Sequence, residues 1–374
     1  MQRFLNNNSR SVYIHVPFCV KKCNYCNFIS FTSVSAYEDI YVDALCREIA
    51  AFKNDNFIET VYLGGGTPNI LKINSLEKII SALKNSFVLS DNAEFSMEFN
   101  PKLSDRAYIK SVEELGINRI SLGAQSFNDD ILKTLGRIHN VKDTLDMVDI
   151  LNSLDISNYS LDLIYGVFGQ SMELLKSDLL MIKQIYPKHV STYGLKIEKG
   201  TPFYSYSKAN LPDEDLCADM YLMISDELRQ ANYEHYEISN FAREGTISKH
   251  NMTYWKNNEY YGFGTSAHGY LNKIRYKNAD NIAEYIENPL RKIIISENER
   301  TDVLEEKIML GLRTSAGINL EDIKKDFGFD LASQKSDFLK QIISSEHAVL
   351  AKNKLSLTEK GFLISNYIIA ELMP

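Results

Sequence analysis

The chain has 374 residues, enough for a large core and a smaller second domain. Its 44% apolar and 24% charged content excludes a disordered or fibrous chain, and a net charge of -8 leaves no basic field for nucleic acid. No apolar run reaches membrane-spanning length, Met1 to Arg10 lacks the apolar core of a signal peptide, and an odd count of five cysteines fits a reducing compartment, so the expected location is the cytoplasm.

Ser11 to Pro17 reads as a short β-branched strand that Pro17 ends, delivering the chain into Cys19-Val-Lys-Lys-Cys23-Asn-Tyr25-Cys26. Three of the five cysteines fall inside these eight residues. Soft thiolates select zinc, copper(I) or iron-sulfur clusters. Structural zinc closes its shell with four protein ligands, so three local thiolates favour a cubane with one iron left open; three structural thiols in a tight loop are the plain alternative.

A helix is expected from Ala36 to Phe52, with Cys46 among Val42, Leu45 and Ile49 on its apolar face; Cys217 sits likewise among Met220, Tyr221 and Ile224, and both read as core. Strands then alternate with helices: Thr60 to Leu63, Ala93 to Phe99, Arg119 to Gly123, Ser157 to Ile164 and His189 to Ile197. Such alternation calls for a parallel sheet with helices outside, either open or curled into a barrel. The carboxyl ends of these strands collect polar groups: the Gly64-Gly65-Gly66-Thr67-Pro68 run, Glu98, Gln125 and Asp162, with Arg137 nearby. Polar groups at successive strand ends suit a polar ligand with several hydrogen-bonding edges, and the glycines allow close backbone approach.

Lys249 to Gly269 holds the single Trp and two histidines among glycines and tyrosines, a composition suited to a flat ligand. From Thr301 onward, short helices and the strand pair Ala348 to Ala351 and Lys354 to Leu357 read as a winged-helix module. Acids outnumber bases there, which favours a lid or partner surface over DNA binding.

The spacing Cys19-x-x-x-Cys23-x-Tyr25-Cys26 resembles the signature of radical S-adenosylmethionine (SAM) proteins. The resemblance implies an α/β fold: an incomplete six-stranded (β/α) barrel with a small C-terminal winged-helix-like α+β domain. It implies a 4Fe-4S cluster on Cys19, Cys23 and Cys26, SAM chelated at the open iron, and Tyr25 near the adenine. Gly65, Gly66 and Thr67 resemble the stretch that holds the SAM amino group. Tyr13, Glu98, Gln125, Arg137 and Asp162 match SAM-contacting positions in the coproporphyrinogen-dehydrogenase-like branch. Further on, His250-Asn251-x-x-Tyr254-Trp255 and Gly262-x-Gly264-x-x-Ala267-His268 resemble the haem-chaperone branch of that family.

That branch implies haem as a ligand with His250 axial and His268 in reserve, a haem-accepting protein, an electron donor, and peripheral contact with membrane-bound acceptors. The competing expectation is an oxygen-independent coproporphyrinogen III dehydrogenase. That enzyme carries a fourth cysteine where this chain has Phe28, and a long N-terminal arm where this chain has twelve residues before Tyr13. No catalytic residue is assigned. The expected division is a barrel over 1–200, a family-specific extension over 201–300 and the winged-helix-like domain over 301–374.

Overall fold

The computed structural model describes residues 9–32, 34–154, 156–297 and 300–374; the polar leader, residues 1–8, lies outside them. Six strands, β1 (Ser9–Val16), β2 (Phe57–Gly65), β3 (Val88–Phe99), β4 (Arg119–Gln125), β5 (Tyr159–Tyr165) and β6 (His189–Gly194), pair in sequence order and in parallel. Helices α1 (Val34–Ala51), α2 (Ile73–Ser86), α3 (Arg106–Glu114), α4 (Asp129–Leu135), α5 (Val141–Ser153) and α6 (Met172–Ile185) fall between them. The strand order does not close on itself, so this is the incomplete barrel expected from the sequence. Most limits shift by one to three residues from the sequence reading, and the largest change is in β3, which begins five residues earlier, at Val88; β6 stops at Gly194 rather than Ile197.

Side-chain periodicity explains both layers. In α2, Leu76, Ile79, Ile80 and Leu83 recur at helical spacing and are buried. Asn140 and Asp143 form a capping box that starts α5, while Asp105, Asn128 and Ser171 cap α3, α4 and α6. In β1, Val12, Ile14 and Val16 are fully buried, leaving Ser11, Tyr13 and His15 for the opposite face. That inner face is polar around the barrel. Thr60 donates to Ser11 at 2.8 Å, Tyr62 to Glu98 at 2.9 Å and Ser121 to Asp162 at 2.7 Å, so these inward polar groups are hydrogen-bonded to one another.

The sheet extends past β1, which is not an edge. Tyr260–Phe263 lies parallel to its other side, followed by His268–Leu271, Ile274–Lys277 and Ile293–Glu297. Glu48 of α1, fully buried, ties this extension down. It accepts from Gly264 N and Asn278 Nδ2, both at 2.8 Å, and from Tyr285 Oη at 2.5 Å, and it pairs with Lys292.

The described residues form two compact units: 9–212 with 259–296, and 213–258 with 297–374. They cut across the expected three consecutive segments. The stretch 201–300 is not one body, because Tyr260–Phe263 pairs with β1, whereas Ser315 N donates to Tyr236 O and Ile238 N to Arg313 O within the second unit. This unit contains a three-stranded sheet of Ile318–Asn319, Lys354–Leu357 and Ala348–Ala351, with helices including Arg300–Gly311, Leu320–Phe327 and Ser336–Ser344. Cys46 and Cys217, expected in the core, are only half-buried.

Candidate functional site

The cysteine loop is held at both ends and in its middle. Cys19 N donates to Phe31 O at 3.0 Å and Phe31 N to Pro17 O at 2.7 Å, closing the loop's neck. His15 of β1 reaches the same neck, with Nε2 at 2.9 Å from Ile29 O. At the tip, Asn24 donates from its backbone to Leu135 O (3.0 Å) and from Nδ2 to Thr134 O (2.8 Å), docking the loop on the carboxyl end of α4. Gly136 makes room for it: its φ is +75°, and a Cβ there would lie 2.9 Å from Asn24 Cγ.

This loop and the carboxyl ends of the barrel strands enclose a cavity of about 460 Å³. Cys19, Cys23, Cys26 and Tyr25 line it from the loop, Gly65, Gly66 and Thr67 from the end of β2 and the turn after it, and Glu98, Gln125, Arg137 and Asp162 from the other strand ends and the turn after α4. Hydrogen bonds fix most of this wall. Gly65 N donates to Glu98 Oε2 at 2.9 Å, and Gly66 N to Val16 O at 2.8 Å. Arg137 Nη2 donates to Gly123 O at 3.1 Å and its Nη1 to Cys23 Sγ at 3.4 Å, while Thr67 Oγ1 donates to Cys19 Sγ at 3.4 Å. Gln125 has a left-handed backbone, φ 66°, at the end of β4.

Burial dominates the electrostatics. It pushes Glu98 up to about 7, against the hydrogen bonds from Tyr62 and Gly65 and with help from the Asp162 charge. Asp162 is likewise raised by burial, opposed by the hydroxyls of Ser121, Ser191 and Ser160. The thiols of Cys19 and Cys26 are held above their ordinary pKa by burial.

Tyr13, His250 and the reserve candidate His268 are expected site residues that do not line the cavity. Tyr13 turns its Oη to His15 Nδ1 at 3.0 Å and stacks on Tyr62, so it backs the wall. His250, in the second unit on the helix Lys249–Trp255, is 1% exposed, its Nε2 2.8 Å from Tyr254 Oη. Burial lowers its pKa to about 3. The cavity also takes Tyr62, Ser121, Tyr193 and Lys22, which the sequence reading missed. Strand parity was the available signal: Tyr62 is two residues from Gly64, and Ser121 two from Gly123, on the inward face.

Residues 13–182 match the radical SAM superfamily, and residues 298–364 the HemN C-terminal domain. Heme chaperone HemW of Lactococcus lactis is 36% identical over 369 residues, covering 97% of either chain. Its Bacillus subtilis namesake is 32% identical over 375 residues, covering 97% of this chain and 99% of its own.

The chain belongs to the HemW family of radical SAM proteins.

Coproporphyrinogen III oxidase (HemN) of Escherichia coli shares the fold, with a TM-score of 0.85 over 98% of this chain and 90% of its own at 21% identity. Membership of the superfamily implies a 4Fe-4S cluster and SAM. The residues present fit a cluster. Three thiols line one side of the cavity, two of them carry donors to sulfur, and the cost of ionising buried thiols is one that bound iron offsets. Among the described residues no three His, Cys, Asp or Glu side chains converge on a single ion. A cubane does not require that, since each thiolate binds its own iron.

Proposed function

We propose that this HemW-family chain is a haem chaperone, which binds haem and passes it to an acceptor protein while retaining a radical SAM centre. The observation that carries the reading is the match, at 36% and 32% identity and over 97% of this chain, with two proteins named Heme chaperone HemW. Phe28 at the position of the dehydrogenase's fourth cysteine supports it. Cys19, Cys23 and Cys26 would hold the 4Fe-4S cluster, which when bound supplies one electron to the sulfonium of SAM.

Around SAM, Gly65, Gly66 and Thr67 would offer backbone to the amino acid end, and Arg137 a guanidinium to its carboxylate. Glu98 and Asp162 suit the ammonium and the ribose hydroxyls, Gln125 a further polar edge, and Tyr25 the adenine face. Tyr13 would act through His15 and Tyr62, its contacts in the wall. An electron donor, a haem acceptor and peripheral contact with a membrane-bound acceptor complete the proposal. No described helix is long and apolar enough to cross a membrane.

For the haem iron, His250 offers a neutral imidazole, the form that ligates metals, but its ring is buried against Tyr254 and would have to turn out. His268 is exposed and needs no such turn. On burial His268 is the better presented of the two. The test is a haemin titration of the wild-type, His250→Ala and His268→Ala proteins with the cluster loaded. A shifted Soret band in the wild type, lost in one variant, supports the reading and names the ligand; absence of haemin binding in the wild type refutes it.

A further inference from the structure

Phe28 is 64% exposed, more than any other large apolar side chain among the described residues, yet it stands on a loop pinned at its neck and tip. Lys21, Lys22 and Phe28 all line the cavity, so one opening is bordered by the exposed aromatic residue and by two lysines. From Cys19 to Phe31 the loop carries these two cations and no carboxylate, in a chain of net charge -8. Nearby Glu198 is taken up by Lys196 at 2.9 Å. A fixed aromatic left open to water beside paired positive charge suits a flat apolar ligand that carries carboxylates at one edge.

We propose that the outer rim of this opening, beyond the space given to the cluster and SAM, is the seat of haem, with its two propionates on Lys21 and Lys22 and its macrocycle against Phe28. The inference rests on the haem-chaperone reading and adds to it the recognition of the propionate edge. An acidic redox protein is the other partner that two lysines suit. The cavity position of both lysines and the apolar ring beside them favour the smaller, flatter ligand.

The experiment compares haemin with its dimethyl ester, at one cosolvent concentration, on cluster-loaded wild type, Lys21→Ala/Lys22→Ala and Phe28→Ala. Two solvent-facing ion pairs give the wild type an expected preference for haemin over the ester of about three- to thirtyfold. That preference should shrink with added salt and vanish in the double variant, while Phe28→Ala weakens both ligands alike. The ester comparison on the wild type requires no substitution, and iron and sulfide content report on the loop in each variant. Equal affinity of the wild type for haemin and ester overturns the proposal, as does a double variant that keeps the preference or that only slows cluster reduction by an acidic protein. Those results leave the chaperone reading standing; a wild type that binds neither compound ends both.

Discussion

Gly65 is the residue where chain conformation and the cavity meet. Its φ of +115° belongs to glycine, and a Cβ there would lie 2.5 Å from the His15 ring, whose Nε2 holds the neck of the cysteine loop. We expect Gly65→Ala to cost about 1–3 kcal/mol and to lower iron content after reconstitution, because the ring must leave Ile29. Unchanged urea midpoint and iron content would show that the ring yields freely. Glu98 makes a second prediction. Its pKa in the folded chain is raised to about 7 from 4.5, so between those values the folded state holds a proton that the unfolded state has lost. Stability therefore falls as pH rises through that window, by at most about 3 kcal/mol. Urea titrations of the cluster-free chain at pH 5 and pH 8 should show a smaller loss in Glu98→Gln than in the wild type; identical losses would mean that Glu98 titrates normally.

At the scale of elements, α1 is joined to the segment 259–296 by the buried acid Glu48, beside which Thr265 N donates to Tyr41 Oη at 3.2 Å and Arg47 Nη2 to Ile286 O at 3.0 Å. Lys292 neutralises Glu48, and burial otherwise pushes that carboxyl upward. We expect Lys292→Met to destabilise the chain by about 3–5 kcal/mol at pH 8. The loss should be smaller at pH 5, where Glu48 can take up a proton. A pH-independent loss would assign the effect to packing of the lysine stem instead.

This junction was not legible in the sequence. The strands and helices of the barrel were, because apolar positions repeat locally at the spacing of each element, as in Leu76, Ile79, Ile80 and Leu83 of α2. Tyr260–Phe263 is four residues long, contains a glycine and pairs with a strand some 250 residues earlier, so nothing local announces it. The cavity residues at strand ends were foreseen as a set. Tyr13 was assigned to the ligand; it shares the inward face with its register partner Tyr62 but does not line the cavity, turning instead to His15 and stacking on Tyr62. His250 was chosen from its string of neighbours, and such a string carries no information about burial.

Across the whole molecule, the fold does not separate chaperone from dehydrogenase, since a coproporphyrinogen III oxidase superposes over 98% of the chain. What separates them is the ligand each must handle: haem with an iron to be ligated and released, or a metal-free porphyrinogen whose propionates lose carbon dioxide. The most direct measurement supplies the anaerobic, reduced, cluster-loaded protein with SAM, and follows two readouts on the same preparation. These are haemin binding with transfer to a haem-free acceptor, and carbon dioxide release from coproporphyrinogen III. We expect haemin to bind and move to the acceptor with no carbon dioxide released; decarboxylation by a protein that binds no haemin would contradict the chaperone reading.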